Sequence, residues 1–311
     1  MIKVDAAAIP VVCPIHGPRC GPPRAVFEVV SSEPVFSPWG VETNDLLIYS
    51  CREDGFRFRP APSQTQVESY YEAPYHESME GQRNLARARW ARKENEERIH
   101  YLKSYLPGGR VLDLGCSTGI LASQLTAAGF EVEASDVSPY ACDRVRALLP
   151  GLPVHCGAIA EYADGLAGRF DAIAMMDVIE HLPDVVDALR RLHQMLRPEG
   201  LLFLRTPTLN SPFYFAAESG YRLSAGRYRH ALLRVYHAEH LVFFDESSIA
   251  RVLGAANFEV VDISSDPLLW QNFKAAEMCG SRLQNLALAA IYFSGRLLRR
   301  GHGMRVMARR K

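Results

Sequence analysis

The stretch Arg110-Val-Leu-Asp-Leu-Gly-Cys-Ser-Thr-Gly119 places an acid and two glycines where an apolar run breaks off. Such a run reads as a buried strand entering a tight turn and then a helix. Glycine at 115 and 119 takes backbone conformations closed to other residues, so the chain can approach a ligand closely. The helix start behind Thr118 adds free N–H groups and the positive end of a dipole, which suits a carboxylate. Asp113, at the strand end, is placed to hold an ammonium directly or through water. Asp136 ends the following strand, where an acid accepts ribose hydroxyls. Carboxylate, ammonium and ribose together describe an amino-acid nucleoside. A nicotinamide dinucleotide is the rival ligand, but it needs Gly-x-Gly-x-x-Gly to seat its pyrophosphate. Gly115-Cys-Ser-Thr-Gly119 followed by Ile-Leu-Ala does not supply it.

Proton transfer needs a group that titrates near neutrality, and histidine is the first choice when a hydroxyl must be deprotonated. His237 and His240 lie in VYHAEHLVFF, just before a helix starting at Asp245, and His181 lies in IEHLPD. His181 also reads as a residue that fixes its own loop. His237 and His240 share a face on a helical turn and point apart in an extended segment. Cys116, inside the glycine turn, reads as a small packing residue.

Cys13-Pro-Ile-His16 and Cys51-Arg-Glu-Asp54 repeat one spacing near the N-terminus. Two such knuckles can bring four side chains to a tetrahedral zinc ion, for which Cys, His and Asp are all acceptable ligands. The metal set expected is therefore Cys13, His16, Cys51 and Asp54, with Cys20 as a substitute. The alternative is a degenerate knuckle that keeps its fold by packing.

These residues need elements to position them. The 311 residues are 48% apolar and 23% charged, enough for one main domain and an appendage. Formal net charge is zero, so the overall field offers nothing to a nucleic-acid backbone or an acidic membrane. The N-terminus lacks a signal-peptide pattern and no apolar run is long enough to span a bilayer, which predicts a soluble cytoplasmic protein. Cys116, Cys142, Cys156 and Cys279 sit in apolar segments as in a reduced chain. Pro- and Gly-rich residues up to about 65 carry short β-like runs at Ala25–Val30 and Asp45–Tyr49. A helix then leads to Pro107-Gly-Gly109. Beyond it, strands at Arg110–Leu114, Glu131–Ser135, Pro153–Cys156, Phe170–Met176 and Gly200–Arg205 alternate with helices, as in a parallel sheet with crossovers. Residues 207–240 break the rhythm and read as an aromatic insertion of loops over the carboxyl edge of the sheet. A helix from Asp245, a strand at Phe258–Ile263, an amphipathic helix at Arg282–Arg300 and a strand at Met304–Ala308 complete the pattern. The amphipathic helix reads as docked on the sheet, with membrane attachment as the alternative.

VLDLGCSTG, ASDVSP, FDAIAMMDVIEHLPD and LRPEGLLFLRTP, in this order and spacing, resemble the class I S-adenosylmethionine-dependent methyltransferases from about Arg110 to Ile263. The resemblance implies a Rossmann-like α/β fold, a seven-stranded mostly parallel sheet with helices on both faces. It implies Asp113, Gly115, Cys116, Ser117 and Gly119 around the methionine moiety, with Met176 and Asp177 beside it and His181 just beyond. Asp136 would hold the ribose, Val137 would lie beside the adenine, and Ala158 and Ile159 would meet the adenine edge. Ser117 replaces a frequent glycine. Ala158 replaces a frequent acid, which leaves the adenine amino group to another partner. The N-terminal segment resembles a small knuckle module that precedes this domain in some bacterial sugar and natural-product methyltransferases, with two of its four cysteines changed to His16 and Asp54. The expected organisation is a β-rich knuckle module at 1–80 and the methyltransferase domain at 81–311. The expected activity is methyl transfer to a small molecule (a sugar, glycolipid precursor or secondary metabolite) at oxygen, without nucleic acid. Methylation of protein or RNA, and a non-catalytic cofactor-binding protein, are the alternatives. Oligomeric state is left open.

Overall fold

A computed structural model describes residues 11–36, 42–60, 85–237, 239–266 and 282–311. The N-terminal part forms an antiparallel sheet of β1 (Arg24–Phe36), β2 (Glu42–Ser50) and β3 (Arg57–Phe58). Helix α1 (Leu85–Tyr105) leads into β4 (Arg110–Leu114) and α2 (Ile120–Ala127). The alternation continues with β5 (Glu131–Asp136), α3 (Pro139–Leu148), β6 (Val154–Cys156), the short α4 (Ile159–Tyr162), β7 (Phe170–Met176) and α5 (Val185–Met195). Then come β8 (Leu196–Pro207), α6 (Pro212–Leu223), α7 (Arg229–Val235), β9 (Val242–Phe243) and α8 (Glu246–Ala255). The chain ends on β10 (Phe258–Ser265), α9 (Arg282–Leu297) and β11 (Gly303–Arg310).

The main sheet has the order β10-β11-β8-β7-β4-β5-β6. Only β11 runs against its neighbours, pairing antiparallel with both β8 and β10. Strand residues alternate between the two faces. Leu112, Leu114, Ile173, Met175, Leu202 and Leu204 pack with Leu189, Leu192 and Val252 on one side. Val111, Ala172, Ala174, Leu201 and Phe203 pack with Leu102, Leu125 and Val145 on the other. Both faces are covered, as a parallel sheet requires.

Helix starts are set by side chains that accept first-turn N–H groups. Ser138 accepts the Ala141 N–H with Pro139 in the first turn, Asp184 accepts the Asp187 N–H, and Asp245 forms a reciprocal capping pair with Ser248.

The segment 207–240 departs from the expected loops, because it contains α6 and α7. Ser211 accepts the Phe213 N–H ahead of Pro212 and starts α6. These helices pack Tyr214, Leu232, Leu233 and Tyr236 against Phe27, Leu46 and Ile48 of the N-terminal sheet. That sheet is completed by β9, which pairs with β3. Of the aromatic residues in this segment, Tyr214 and Tyr236 are core, whereas Phe215 is 75% exposed. Helix α9 lies against α6. Among the described residues no helix is long and apolar enough to cross a membrane. Cys279 and the tyrosines at 70, 71 and 75 lie outside the described residues.

Candidate active site

From β4 the chain moves outward through β5 and β6, then returns to the other side of β4 at β7. Ligands of open α/β sheets bind at such a switch point, beyond the carboxyl ends of the strands. The turns after β4 and β7 meet there. Gly115 has φ +76°, and a Cβ on it would lie 2.4 Å from Cγ2 of Val178. Gly115 and Cys116 donate their N–H groups to the Ser135 carbonyl at 2.8 and 2.9 Å. Ser117, with φ +45°, donates its N–H to Asp136 Oδ2 at 2.8 Å, while Ser138 N–H reaches Oδ1 at 3.0 Å. A carboxylate can accept about four hydrogen bonds, so bracing the turn is compatible with receiving ribose hydroxyls.

Asp113 is 2% exposed and its Oδ2 has no partner. Burial pushes its acid up to about 7, against the pull of the Ala122 N–H and with a further push from the Asp136 charge. An orphaned buried carboxylate oxygen fits an incoming ammonium. Gly119 precedes α2 without a side-chain cap, which leaves first-turn N–H groups for a ligand carboxylate. These features fit the methionine moiety of S-adenosylmethionine. Val137, Ala158 and Ile159 gather half-buried at the ends of β5 and β6, where the Gly157 N–H donates to the Asp136 carbonyl at 3.0 Å. Met176 ends β7. Asp177 follows with φ +56°, its carboxylate paired to the Arg205 guanidinium. The residues expected around the cofactor thus share one edge of the sheet.

Three histidines converge beside Asp177. His181 lies edge-on to His240 with ring centroids 4.8 Å apart, and His237 lies 4.9 Å from His240. His181 Nδ1 is 3.0 Å from the Glu239 carbonyl oxygen. Burial holds His181 and His237 down at about 4, and His240 well below its ordinary value. His237 Nδ1 lies 3.8 Å from Glu239 Oε1, too far for a hydrogen bond, and burial raises the acid of Glu239. At neutral pH the His237 ring is therefore neutral, and the two side chains are buried neighbours rather than a hydrogen-bonded pair. Glu180, whose Oε2 accepts the Thr206 hydroxyl at 3.0 Å, completes the wall. Cys116 is buried, its thiol pushed up by burial and then by Asp113 and Asp136, in keeping with a packing role.

Cys13, His16, Cys20 and Cys51 present ligand atoms within 4.8 Å of one another. His16 Nδ1 faces the thiols, 3.3 Å from Cys51 Sγ and 3.7 Å from Cys13 Sγ. Asp54 borders this group beside Cys51, but its two oxygens are engaged by the Phe56 N–H at 3.0 Å and Arg251 Nε at 3.0 Å. The donor set that fits a tetrahedral zinc ion therefore contains Cys20 in place of the expected Asp54.

Sequence reading passed over three residues of this edge. Arg205 clamps Asp177 and, at 2.7 Å, Asp266. Glu180 was noted only as a neighbour of His181. His302 stacks on Tyr214 at 6.3 Å and is held down at about 4 by burial and then by Arg205. Arg205, in β8, and Glu180, in the turn after β7, sit in segments already singled out, so an ionisable residue at or just beyond the end of a buried strand was a usable signal. His302 is brought in by β11 alone and carried none.

A sequence profile described as a methyltransferase domain matches residues 87–263. The ubiquinone biosynthesis O-methyltransferase of Aromatoleum aromaticum is 32% identical over 162 residues, which is 51% of this chain and 67% of that one. The enzyme of the same name from Pseudomonas aeruginosa is 31% identical over 132 residues, 40% of this chain and 57% of that one. The chain thus spans about two thirds or less of the length of these relatives. The solved 1,6-didemethyltoxoflavin-N1-methyltransferase of Burkholderia thailandensis shares the fold with TM-score 0.53 at 17% identity, covering 84% of this chain and 97% of that one. The magnesium protoporphyrin IX methyltransferase of Synechocystis does so with TM-score 0.53 at 16% identity, covering 80% and 100%. The matched profile and the order of the seven strands agree: the chain belongs to the class I S-adenosylmethionine-dependent methyltransferases.

Proposed function

We propose that the chain methylates a hydroxyl of a small molecule, with His237 receiving the proton. The observation that carries this reading is the group of His181, His237 and His240 packed beside Asp177, at the edge where Asp113 and Asp136 gather. Bound S-adenosylmethionine supplies an electrophilic methyl on a sulfonium. Asp113 holds the ammonium, the first turn of α2 the carboxylate, and Asp136 the ribose. Transfer is an in-line displacement, so orientation and exclusion of water supply most of the rate. Burial keeps His237 in its acceptor form, and Glu239 stands near enough to stabilise the imidazolium once a proton arrives. The O-methyltransferase names of the relatives support oxygen as the acceptor atom.

We read residues 1–80 as the module and 81–311 as the methyltransferase domain, with β9 as the strap between them. In the module, Cys13, His16, Cys20 and Cys51 would hold zinc and tie the turn before β1 to the turn between β2 and β3. The test is transfer of a trideuteromethyl group from labelled cofactor to a panel of phenols, catechols and sugar alcohols beside their amine analogues. Products at hydroxyls only are expected; transfer to the amines alone would overturn the oxygen assignment.

A further inference from the structure

We propose that Cys142 and Cys156 form a modification site for a hydroperoxide, and that the reversible disulfide made there weakens cofactor binding. Both cysteines are free in this structure. Two elements bring them together. Val145, three residues after Cys142 on α3, and Val154, two residues before Cys156 on β6, pack in one core cluster. Residues three apart share a helix face and residues two apart share a strand face, so both thiols enter the same seam between α3 and β6. Cys156 pairs in register with Asp136 of β5, and the Cys142 thiol donates to the Asp136 carbonyl at 3.4 Å. The two thiols also hydrogen-bond to each other, so a short approach of the sulfurs is enough for a bond.

The two thiols differ as such a reaction requires. Cys142 is fully buried, and burial, followed by the hydrogen bond to Cys156, pushes its thiol up to about 12. Cys156 is half-buried and is the one a small oxidant can reach. With hydrogen peroxide, the Cys156 sulfur takes one oxygen, the O–O bond breaks, water leaves and a sulfenic acid remains. The Cys142 sulfur then attacks the sulfenic sulfur. The S–S bond forms, the S–O bond breaks, and the oxygen leaves as a second water that carries off the Cys142 proton. Two electrons pass from the sulfurs to the peroxide.

The bond clamps two turns at the cofactor edge. The Asp136 carbonyl accepts the Gly157 N–H at 3.0 Å as well as the Cys142 thiol. Val137 leads from Asp136 into α3, and Ala158 and Ile159 follow Gly157; these are the half-buried residues expected beside the adenine. Drawing the first turn of α3 towards the end of β6 narrows the space between them and removes the thiol donor from the Asp136 carbonyl. Cofactor affinity therefore falls on oxidation, and by linkage a bound cofactor keeps the dithiol reduced. The coupling rests on the cofactor reading above; formation of the bond does not.

The full chain is oxidised with hydrogen peroxide, and the linked cysteines are located by peptide fragmentation. S-adenosylhomocysteine affinity is measured by calorimetry before oxidation, after it, and after dithiothreitol. A Cys142–Cys156 disulfide is expected, absent from Cys142→Ser and from Cys156→Ser. Affinity should fall by about 5–150-fold, the usual span of coupling between two sites, and return with dithiothreitol. Treated Cys156→Ser still carries the Cys13, Cys20 and Cys51 thiols and should bind as its reduced form does. In a glutathione redox buffer, saturating S-adenosylhomocysteine should raise the ratio of reduced to oxidised protein by the same factor. Recovery of Cys156 as a sulfinic acid, or bonded to any other cysteine, overturns the site. A Cys142–Cys156 bond that leaves affinity unchanged, or an equal loss in treated Cys156→Ser, overturns the coupling. Reduced parent protein that binds no S-adenosylhomocysteine overturns the cofactor assignment and the coupling with it, while a mapped disulfide still supports the dithiol site.

Discussion

Asp136 Oδ2 receives the backbone N–H of Ser117 at 2.8 Å, so the acid ending β5 braces the glycine turn that follows β4. The brace matters because Ser117 holds φ +45°, a conformation that costs a non-glycine residue free energy unless its surroundings impose it. One carboxylate therefore shapes the turn for the methionine moiety and offers oxygens to the ribose. Asp136→Ala is expected to weaken S-adenosylhomocysteine binding by about 1–3 kcal/mol, the scale for hydrogen bonds to a charged group. Calorimetry is the measurement, and an unchanged affinity would remove Asp136 from the site.

Asp113 makes cofactor binding depend on pH. Its acid lies at about 7 in the folded chain against an ordinary 3.8, so the empty protein holds a proton that the unfolded chain has released. Folded protein binds more protons than unfolded between those values, and its stability must fall as pH rises from 3.8 to about 7. The ligand ammonium needs the ionised acid, so binding expels the proton and affinity should rise with pH until about 7, then level off. Asp113→Asn should flatten that rise. Titrations in two buffers of different ionisation enthalpy would show proton release directly, and a pH-independent affinity in the parent protein contradicts the assignment.

The main sheet was legible because its strands follow simple alternation and its helices begin at Ser138, Asp184 and Asp245, each a side chain that accepts a first-turn N–H. The cofactor edge was legible for the same reason: Asp113, Asp136 and Met176 each end a buried strand, and parallel pairing brings such ends together. Helices α6 and α7 were not. Their buried positions, Tyr214, Leu232, Leu233 and Tyr236, are interleaved with arginines and exposed aromatics that blur the helical period, and their partner surface comes from the N-terminal sheet. Strand β9 has two residues, too few to show a period. The knuckle misled by spacing alone. Asp54 stands at the repeat position, but the turn at Gly55, with φ +74°, leaves its carboxylate on the Phe56 N–H and Arg251, and Cys20 is the fourth donor in the cluster.

Zinc content separates the two versions of the knuckle. Near one zinc per chain is expected, with a marked loss in Cys20→Ser and retention in Asp54→Ala. Elemental analysis after mild chelation reads the difference. The reverse pattern would restore Asp54 as the ligand.

Tyr236 joins the N-terminal sheet to the insertion. It is fully buried, its hydroxyl donates to Glu218 Oε1 at 2.8 Å, and it accepts from Arg57 Nη1. Tyr236→Phe leaves the Arg57–Glu218 pair in place but strips each partner of one buried hydrogen bond. A loss of about 1–3 kcal/mol in denaturant unfolding is expected, without change in cofactor affinity. No measurable loss would mean that water takes over both contacts.

His237 tests the chemistry itself. Its Nδ1 is buried without a hydrogen bond, Glu239 Oε1 stands 3.8 Å away, and His240 separates it from His181. That leaves His237 as the ring that can take a proton, since His181 Nδ1 is engaged by the Glu239 carbonyl. Replacing it by Ala should lower turnover by about 10²–10⁴-fold, the usual scale for a positioned general base. S-adenosylhomocysteine affinity should hold, because no cofactor contact is assigned to His237. Glu239→Gln should lower turnover less, since it alters a neighbour 3.8 Å from the ring and leaves the acceptor nitrogen in place. Near-normal turnover in His237→Ala would refute the base assignment, and the proton would then leave directly to solvent.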